Sequence, residues 1–286
     1  MIKKSLVVAV ALSLFSTLCF ADDLQSHFSR ATFTLGTSSL SYRYAEICHN
    51  DGAPALVLYL HGGSSRGDDN SAQLNEAAVG VIYQYMVENN IPATFIVPQC
   101  PAGGGWTGPL RRVVNELLKS YITAGTADAD RVYVMGGSMG GTGTWSQLSN
   151  FPDFYAAAMP VAGNPSGCDA ANVATTPVYT VMGSTDNIMS IDVVEQFQSE
   201  VVALGGTFRL DIETGWTHQN TCELSYTDPR LDWLFSQRRN TGGVSAPLIE
   251  VEANGSSQLY NLQGVAVSAD YKGIVVKAGK KFLNGY

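Results

Sequence analysis

The chain has 286 residues, with 17 lysines and arginines against 25 aspartates and glutamates, and five cysteines. That acidic balance argues against nucleic acid and anionic membrane as partners and says nothing about fold. The length suits one large α/β domain with ample core plus a small appendage.

Met1-Ile2-Lys3-Lys4 followed by the apolar run Ser5 to Phe20 reads as a secretory signal peptide, residues 1–21, with Cys19 and Ala21 at the −3 and −1 positions of a cut before Asp22. Leu18 before Cys19 fits a lipoprotein cleavage site poorly, and the run falls short of the roughly 20 residues a membrane span needs. The expectation is an exported protein, periplasmic, cell-surface or extracellular, with no membrane span after cleavage. Removing the leader takes away two lysines and no acids, so the balance moves from 17 against 25 to 15 against 25.

Residues 31–48 alternate turn formers with Thr, Phe, Leu, Tyr and Ile, which predicts an antiparallel hairpin at a sheet edge. Ala55 to Leu60 is a continuous apolar run ending in His61-Gly62-Gly63, the pattern of a buried parallel strand with a loop at its C-terminal end. Apolar residues at helical spacing predict a helix over 71–89, and a second buried strand covers 93–97. A helix follows at 108–123, then a strand at 132–135 and a helix at 139–150. Further strands fall at 156–161, 178–182 and 208–212, with helices at 190–203 and 228–238. Strand and helix alternate throughout. That pattern means a mostly parallel sheet with helices on both faces and loops at the C-terminal strand ends free for chemistry. Residues 240–248 form a small-residue linker, and residues 249–286 form short alternating segments, a β-rich tail too small for a sizeable core of its own.

Arg131 to Gly141 runs an apolar strand into Gly136-Gly137-Ser138-Met139-Gly140. A Gly-x-Ser-x-Gly run suits a nucleophile elbow, where side chains flanking the strained serine would collide. In a chain of 29 glycines the motif is weak alone. An acyl-transfer serine also needs a base and an orienting carboxylate. Of His27, His49, His61 and His218, only His218 lies downstream of Ser138, after the last predicted strand, where a Ser-Asp-His order places the base. Asp186, in the first turn after the strand at 178–182, is the candidate acid. Its competitors are Asp192, expected to cap the next helix, and Asp211, inside a strand. The oxyanion donors expected for such an elbow are the amide of Met139 and one from the Gly62-Gly63 loop, with Gly63 preferred. His61 then holds that loop. No metal-spaced cluster of His, Cys or Asp stands in the sequence, so no metal or organic cofactor is implied.

Leu58-Tyr59-Leu60-His61-Gly62-Gly63 with Arg66-Gly67-Asp68-Asp69-Asn70, then Pro98-Gln99-Cys100-Pro101, then Gly137-Ser138-Met139-Gly140-Gly141-Thr142-Gly143-Thr144-Trp145, resembles the α/β-hydrolase carboxylesterases. Within them the chain is similar to the group spanning feruloyl esterases, acetylxylan esterases, polyhydroxybutyrate depolymerases and prolyl-oligopeptidase-like esterases. The resemblance covers residues 54–238 and implies the α/β-hydrolase fold, with residues 22–239 as the catalytic domain and Ser138, Asp186 and His218 as the triad. One departure is Gly137, where that group carries a bulkier residue; the expectation is a more open elbow. Leu259-Tyr260-Asn261-Leu262-Gln263-Gly264, then Tyr271 to Lys277 and Gly279-Lys280-Lys281, resembles C-terminal sorting modules of type IX secretion, without the Arg those carry after Gln-Gly. Secretion machinery is thus an expected partner of the tail, and a hairpin that merely packs is the alternative.

Four cysteines remain after leader cleavage, allowing three connectivities if all pair. In the fold that the resemblance implies, Cys168 and Cys222 fall in loops at one end of the sheet and are the disulfide candidate. Trp106 and Trp216, in loops at that same end, are candidates to stack on a sugar or phenolic ring. The sequence therefore predicts an exported serine carboxylesterase acting on ester-decorated polysaccharide, feruloyl or acetyl, or on a small ester. A prolyl-oligopeptidase-like serine peptidase and a non-catalytic carbohydrate-binding protein on a hydrolase fold are the alternatives.

Overall fold

The computed structural model describes residues 24–49 and 52–239, and in the tail 259–261, 266–268, 273–277 and 280–284. The expected signal peptide (1–21) and linker (240–248) lie outside the described residues. The chain divides into two compact units, 1–241 and 242–286.

In the first unit, eight strands form one sheet: β1 (Ser29–Leu35), β2 (Ser38–Ile47), β3 (Ala55–Leu60), β4 (Ala93–Pro98), β5 (Val132–Gly137), β6 (Ala157–Val161), β7 (Val178–Gly183) and β8 (Phe208–Glu213). Their spatial order is β1-β2-β4-β3-β5-β6-β7-β8. The hairpin β1–β2 is antiparallel and docks antiparallel on β4, while the remaining neighbours are parallel. The parallel pairs require crossovers, and the helices supply them: α1 (Ala77–Glu88), α2 (Pro109–Thr123), α3 (Met139–Asn150), α4 (Ala170–Val173), α5 (Ile191–Ala203), α6 (His218–Leu224) and α7 (Asp228–Ser236).

The period of two in the strands sorts the core onto two faces. Along β3, Ala55, Val57 and Tyr59 join one buried cluster with α1 and α7, while Leu56, Leu58 and Leu60 join a second with α2, α3 and α5. All six β3 residues are buried, and each fully buried Leu or Val is worth about 1.5–3 kcal/mol of transfer free energy. That double burial is why β3 reads as an unbroken apolar run rather than an alternation.

Two elements differ from the sequence reading. The expected helix over 71–89 breaks at Glu76 into a 3₁₀ turn, Ala72–Asn75, and α1. The loop expected around His218 is instead α6, whose Thr217 and Asn220 form a reciprocal capping box. The second unit holds β9 (Leu259–Asn261), β10 (Ala266–Val267), β11 (Gly273–Lys277) and β12 (Lys280–Asn284) in an antiparallel sheet ordered β10-β9-β11-β12.

Candidate active site

Ser138 stands between β5 and α3 with φ 58° and ψ −117°, a conformation that costs a non-glycine residue about 1–3 kcal/mol. The surroundings hold it there. Its amide donates to the Val161 carbonyl at 3.0 Å, and its carbonyl accepts the Thr142 amide at 2.9 Å as the helix begins. Gly140 lets the first turn of α3 lie against the end of β3, since a side chain there would run into the Leu60 carbonyl.

The strands on one side of β5 deliver the other two groups. Asp186 follows β7 in a turn closed by its amide to the Gly183 carbonyl at 3.0 Å. The loop leaving β8 crosses over to β7, where Ser184 N–H donates to Glu213 and Thr185 N–H to Trp216. That crossing brings His218, the first residue of α6, beside Asp186. His218 Nδ1 lies 2.7 Å from Asp186 Oδ2, and Nε2 lies 2.7 Å from Ser138 Oγ. With Nδ1–H donating to the carboxylate, Nε2 is the acceptor for the serine hydroxyl. The Asp186 side chain is fully buried, and its Oδ1 accepts the amides of Ile188 at 2.8 Å and Met189 at 3.0 Å. Both carboxylate oxygens are thereby fixed.

The competing acids do other work. Asp211, in β8, accepts from Arg230 and from the Tyr179 hydroxyl. Asp192 is not the expected cap; Ser190 holds that position, and Asp192 lies in the first turn of α5, where its charge suits the helix dipole.

On the other side of Ser138, Met139 is the first residue of α3, a position whose amide has no acceptor within its own helix. Gly62 spends its amide on Glu76 Oε1 at 2.7 Å. Gly63, the first residue of a 3₁₀ turn, therefore carries the next amide of that loop. His61 is fully buried, with Nε2 accepting the Cys100 amide at 2.9 Å and Nδ1 donating to the Gly62 carbonyl at 2.6 Å. Burial, aided by the charge of Arg66, pushes it down to about 4 despite the bond to Gly62, so the ring is neutral and structural at pH 7.

Three sequence expectations are corrected here. Trp106 is not a stacking platform: it is 1% exposed, donates its indole N–H to the His61 carbonyl, and packs on α3 where Gly143 leaves room for it. The spacing of Gly143 one helical turn after Met139 was the available signal. Cys168 and Cys222 are both free thiols. They belong to opposite faces of the sheet, Cys168 against the cluster with α2, α3 and α5 and Cys222 against the one with α1 and α7. Finally, Gly137 does not open the elbow. The place of a side chain there is bordered at 3.4 Å by the Cβ and Sγ of Cys222, which reaches in from α6. Trp216 is half-buried and packs against the core beside α6. Among the described residues no group of His, Cys, Asp and Glu is arranged to hold a metal ion.

A cavity of about 490 Å³ lined by Asp153, Tyr155, Thr175, Arg238 and Arg239 lies at the N-terminal ends of β6 and β7, the opposite end of the sheet from the triad. It plays no part in this site.

Residues 106–228, a span containing Ser138, Asp186 and His218, match the dienelactone hydrolase family. A thermostable esterase of known structure is 25% identical with a TM-score of 0.69, over 76% of this chain and 64% of that one. The fold is that of the α/β-hydrolases. The acylaminoacyl peptidase of Pyrococcus horikoshii superposes with a TM-score of 0.58 at 12% identity, over 76% of this chain and 42% of the peptidase. Esterase PE8 does so at 0.52 and 18% identity, with 68% of this chain covering 99% of that enzyme. No curated protein sequence matches the chain. The α/β-hydrolase likeness at 12% and 18% identity concerns fold alone; the chain covers just under two thirds of the thermostable esterase.

Proposed function

We propose that this protein is a serine hydrolase of carboxylic esters, and the observation that carries the reading is the hydrogen-bonded run Ser138–His218–Asp186 at a strained strand-to-helix turn. Ser138 Oγ attacks the ester carbonyl while His218 Nε2 takes its proton. Asp186 holds the imidazole tautomer and stabilises the imidazolium. The amides of Met139 and Gly63 receive the oxyanion, a type of contact worth about 3–4 kcal/mol of transition-state stabilisation per donor. His218 returns the proton to the leaving alcohol, and water repeats the sequence on the acyl-serine.

For the substrate we favour feruloyl or acetyl esters on plant polysaccharide, met outside the cell. The support is the motif resemblance and the leader-like N-terminus; Trp106 no longer contributes. A purified protein should hydrolyse 4-nitrophenyl acetate, and Ser138→Ala should reduce kcat at least about 10³-fold while leaving the fold intact. Turnover undiminished in Ser138→Ala would sink the mechanism. Methyl ferulate and acetylated xylan then separate the two acyl groups, and cleavage of prolyl peptides without ester turnover would transfer the reading to a peptidase.

A further inference from the structure

Beneath the Gly62–Ser65 loop lies an acid that the triad does not use. Glu76 stands at the break between the 3₁₀ turn and α1, in the N-cap position, yet its side chain makes no cap bond. It points back under the loop instead. Oε1 accepts the Gly62 amide at 2.7 Å and the Ser65 hydroxyl at 2.8 Å, and Oε2 accepts the Tyr59 hydroxyl at 2.8 Å. Among the described residues no cation pairs with it; the carboxylate is a hub for three neutral donors. Burial pushes its carboxyl up, against the pull of those three bonds. The thiol of Cys222, pushed up to about 12 chiefly by burial, and the buried phenols of Tyr59 and Tyr226 add no charge around it.

The location matters more than the count. A side chain added at Gly62 would begin 3.3 Å from Glu76 Oε1 and 3.8 Å from Ser138 Cβ, so a single glycine separates the buried carboxylate from the nucleophile. A negative charge there opposes the developing oxyanion. Its compensating contribution is geometric. Holding Gly62 N–H and Ser65 Oγ–H clamps both ends of a four-residue loop, which is also closed by Ser65 N–H to the Gly62 carbonyl. With the Gly62 amide pinned inward, the next amide of the loop, that of Gly63, is left as the donor that the esterase reading assigns to the oxyanion.

We propose that Glu76 is a positioning residue for the oxyanion hole, setting the Gly62–Gly63 peptide from below through its bonds to Gly62, Ser65 and Tyr59. The proposal rests on the esterase reading above. Because the oxyanion exists only in the transition state, the loss on mutation falls on kcat and not on KM. The test is kcat and KM for 4-nitrophenyl acetate in wild type and Glu76→Ala, with active sites counted by fluorophosphonate labelling so that misfolded molecules drop out, and with Ser138→Ala, which takes no label, as the blank for turnover. Expected is a fall in kcat per labelled site of about 10-fold or more in Glu76→Ala, which deletes the acceptors for Gly62, Ser65 and Tyr59, with KM within about two-fold. Wild-type kcat per labelled site in Glu76→Ala overturns the proposal. If that variant does not fold, Tyr59→Phe and Ser65→Ala, each removing one donor, decide it: several-fold losses in kcat at unchanged KM support the clamp, and wild-type kcat in both overturns it. An inactive wild type, or turnover that survives Ser138→Ala, removes the esterase reading and the proposal together, a result distinct from an active enzyme indifferent to Glu76.

Discussion

Two glycines separate the reasons a residue can lack a side chain. Gly36, in the β1–β2 turn, has φ 59° and open space around its missing Cβ, so only conformation requires glycine. Gly140, in the first turn of α3, needs it for space, because a side chain there would overlap the Leu60 carbonyl and neither backbone can retreat without dislodging Ser138 or β3. Gly36→Ala should cost about 1 kcal/mol, the strain of an L-residue in the left-handed region. Gly140→Ala should cost about 3 kcal/mol or more, at the overpacking end of mutational effects, or abolish folding. Urea midpoints of the two variants measure the difference, and equal losses would contradict the close-contact account. The same scale explains Gly137. Its departure from the resembled group is matched by Cys222 lying where a larger residue's side chain would sit. A sequence shows the small residue and not the neighbour, 85 positions later, that fills its space.

At the scale of elements, the loop that presents His218 depends on how β8 is fastened. Arg230 of α7, mostly buried, donates Nε and Nη2 to Asp211 Oδ2 at 3.0 and 2.8 Å, Nη2 also to Glu213, and Nη1 to the Ser225 carbonyl at 3.2 Å. It thus ties β8 to the stretch between α6 and α7. Arg230→Met keeps the stem and deletes the donors; with both acids a third or more exposed, the loss is discounted to about 2 kcal/mol from the cost of breaking a fully buried pair. Urea unfolding checks it, and a loss below about 0.5 kcal/mol would mark the network as a surface ornament. The elements themselves were largely legible: continuous apolar runs gave β3 to β7 and helical spacing gave α2, α3 and α5, because both signals come from burial on the strand and helix periods. The order Ser138, Asp186, His218 and the scarcity of histidine were equally legible, and the structure brings those three side chains into contact. What spacing could not show was which face of the sheet a residue joins. Cys168 and Cys222 share an end of the sheet but pack against opposite faces, and Trp106, though in a loop, is drawn inside by Gly143. Glu76 was hidden for a similar reason: a lone acid in an apolar helical pattern reads as solvent-facing until the break before α1 turns it inward.

Across the whole first unit, the buried ionisable groups set how stability responds to acid, and they act in opposite directions. His61, fully buried, has its folded pKa lowered from 6.5 to about 4 by burial. Between those values the unfolded chain binds a proton that the folded chain refuses, so acidification from pH 6.5 to 4 removes about 3 kcal/mol of stability on its account. Glu76 has a raised carboxyl, so the folded state takes up a proton before the unfolded one does, and acidification through its folded value restores stability. Asp128 belongs to a lower window. Burial pushes its carboxyl up, but the Asp130 amide, Arg131 and Arg238 outweigh that and hold it down, so its contribution is lost only below the ordinary carboxylate range near pH 3.8. On the His61 account, unfolding free energy falls from pH 6.5 to 4 in the wild type, and Glu76 acts against that fall. His61→Gln keeps an acceptor for the Cys100 amide and removes the titration, so its profile should be flat or rise slightly over that range as Glu76 dominates. Glu76→Gln should fall more steeply than the wild type. Urea titrations at pH 7, 5.5 and 4 on the three proteins read these slopes, and parallel profiles for wild type and His61→Gln would show that His61 is not the group that acid must charge.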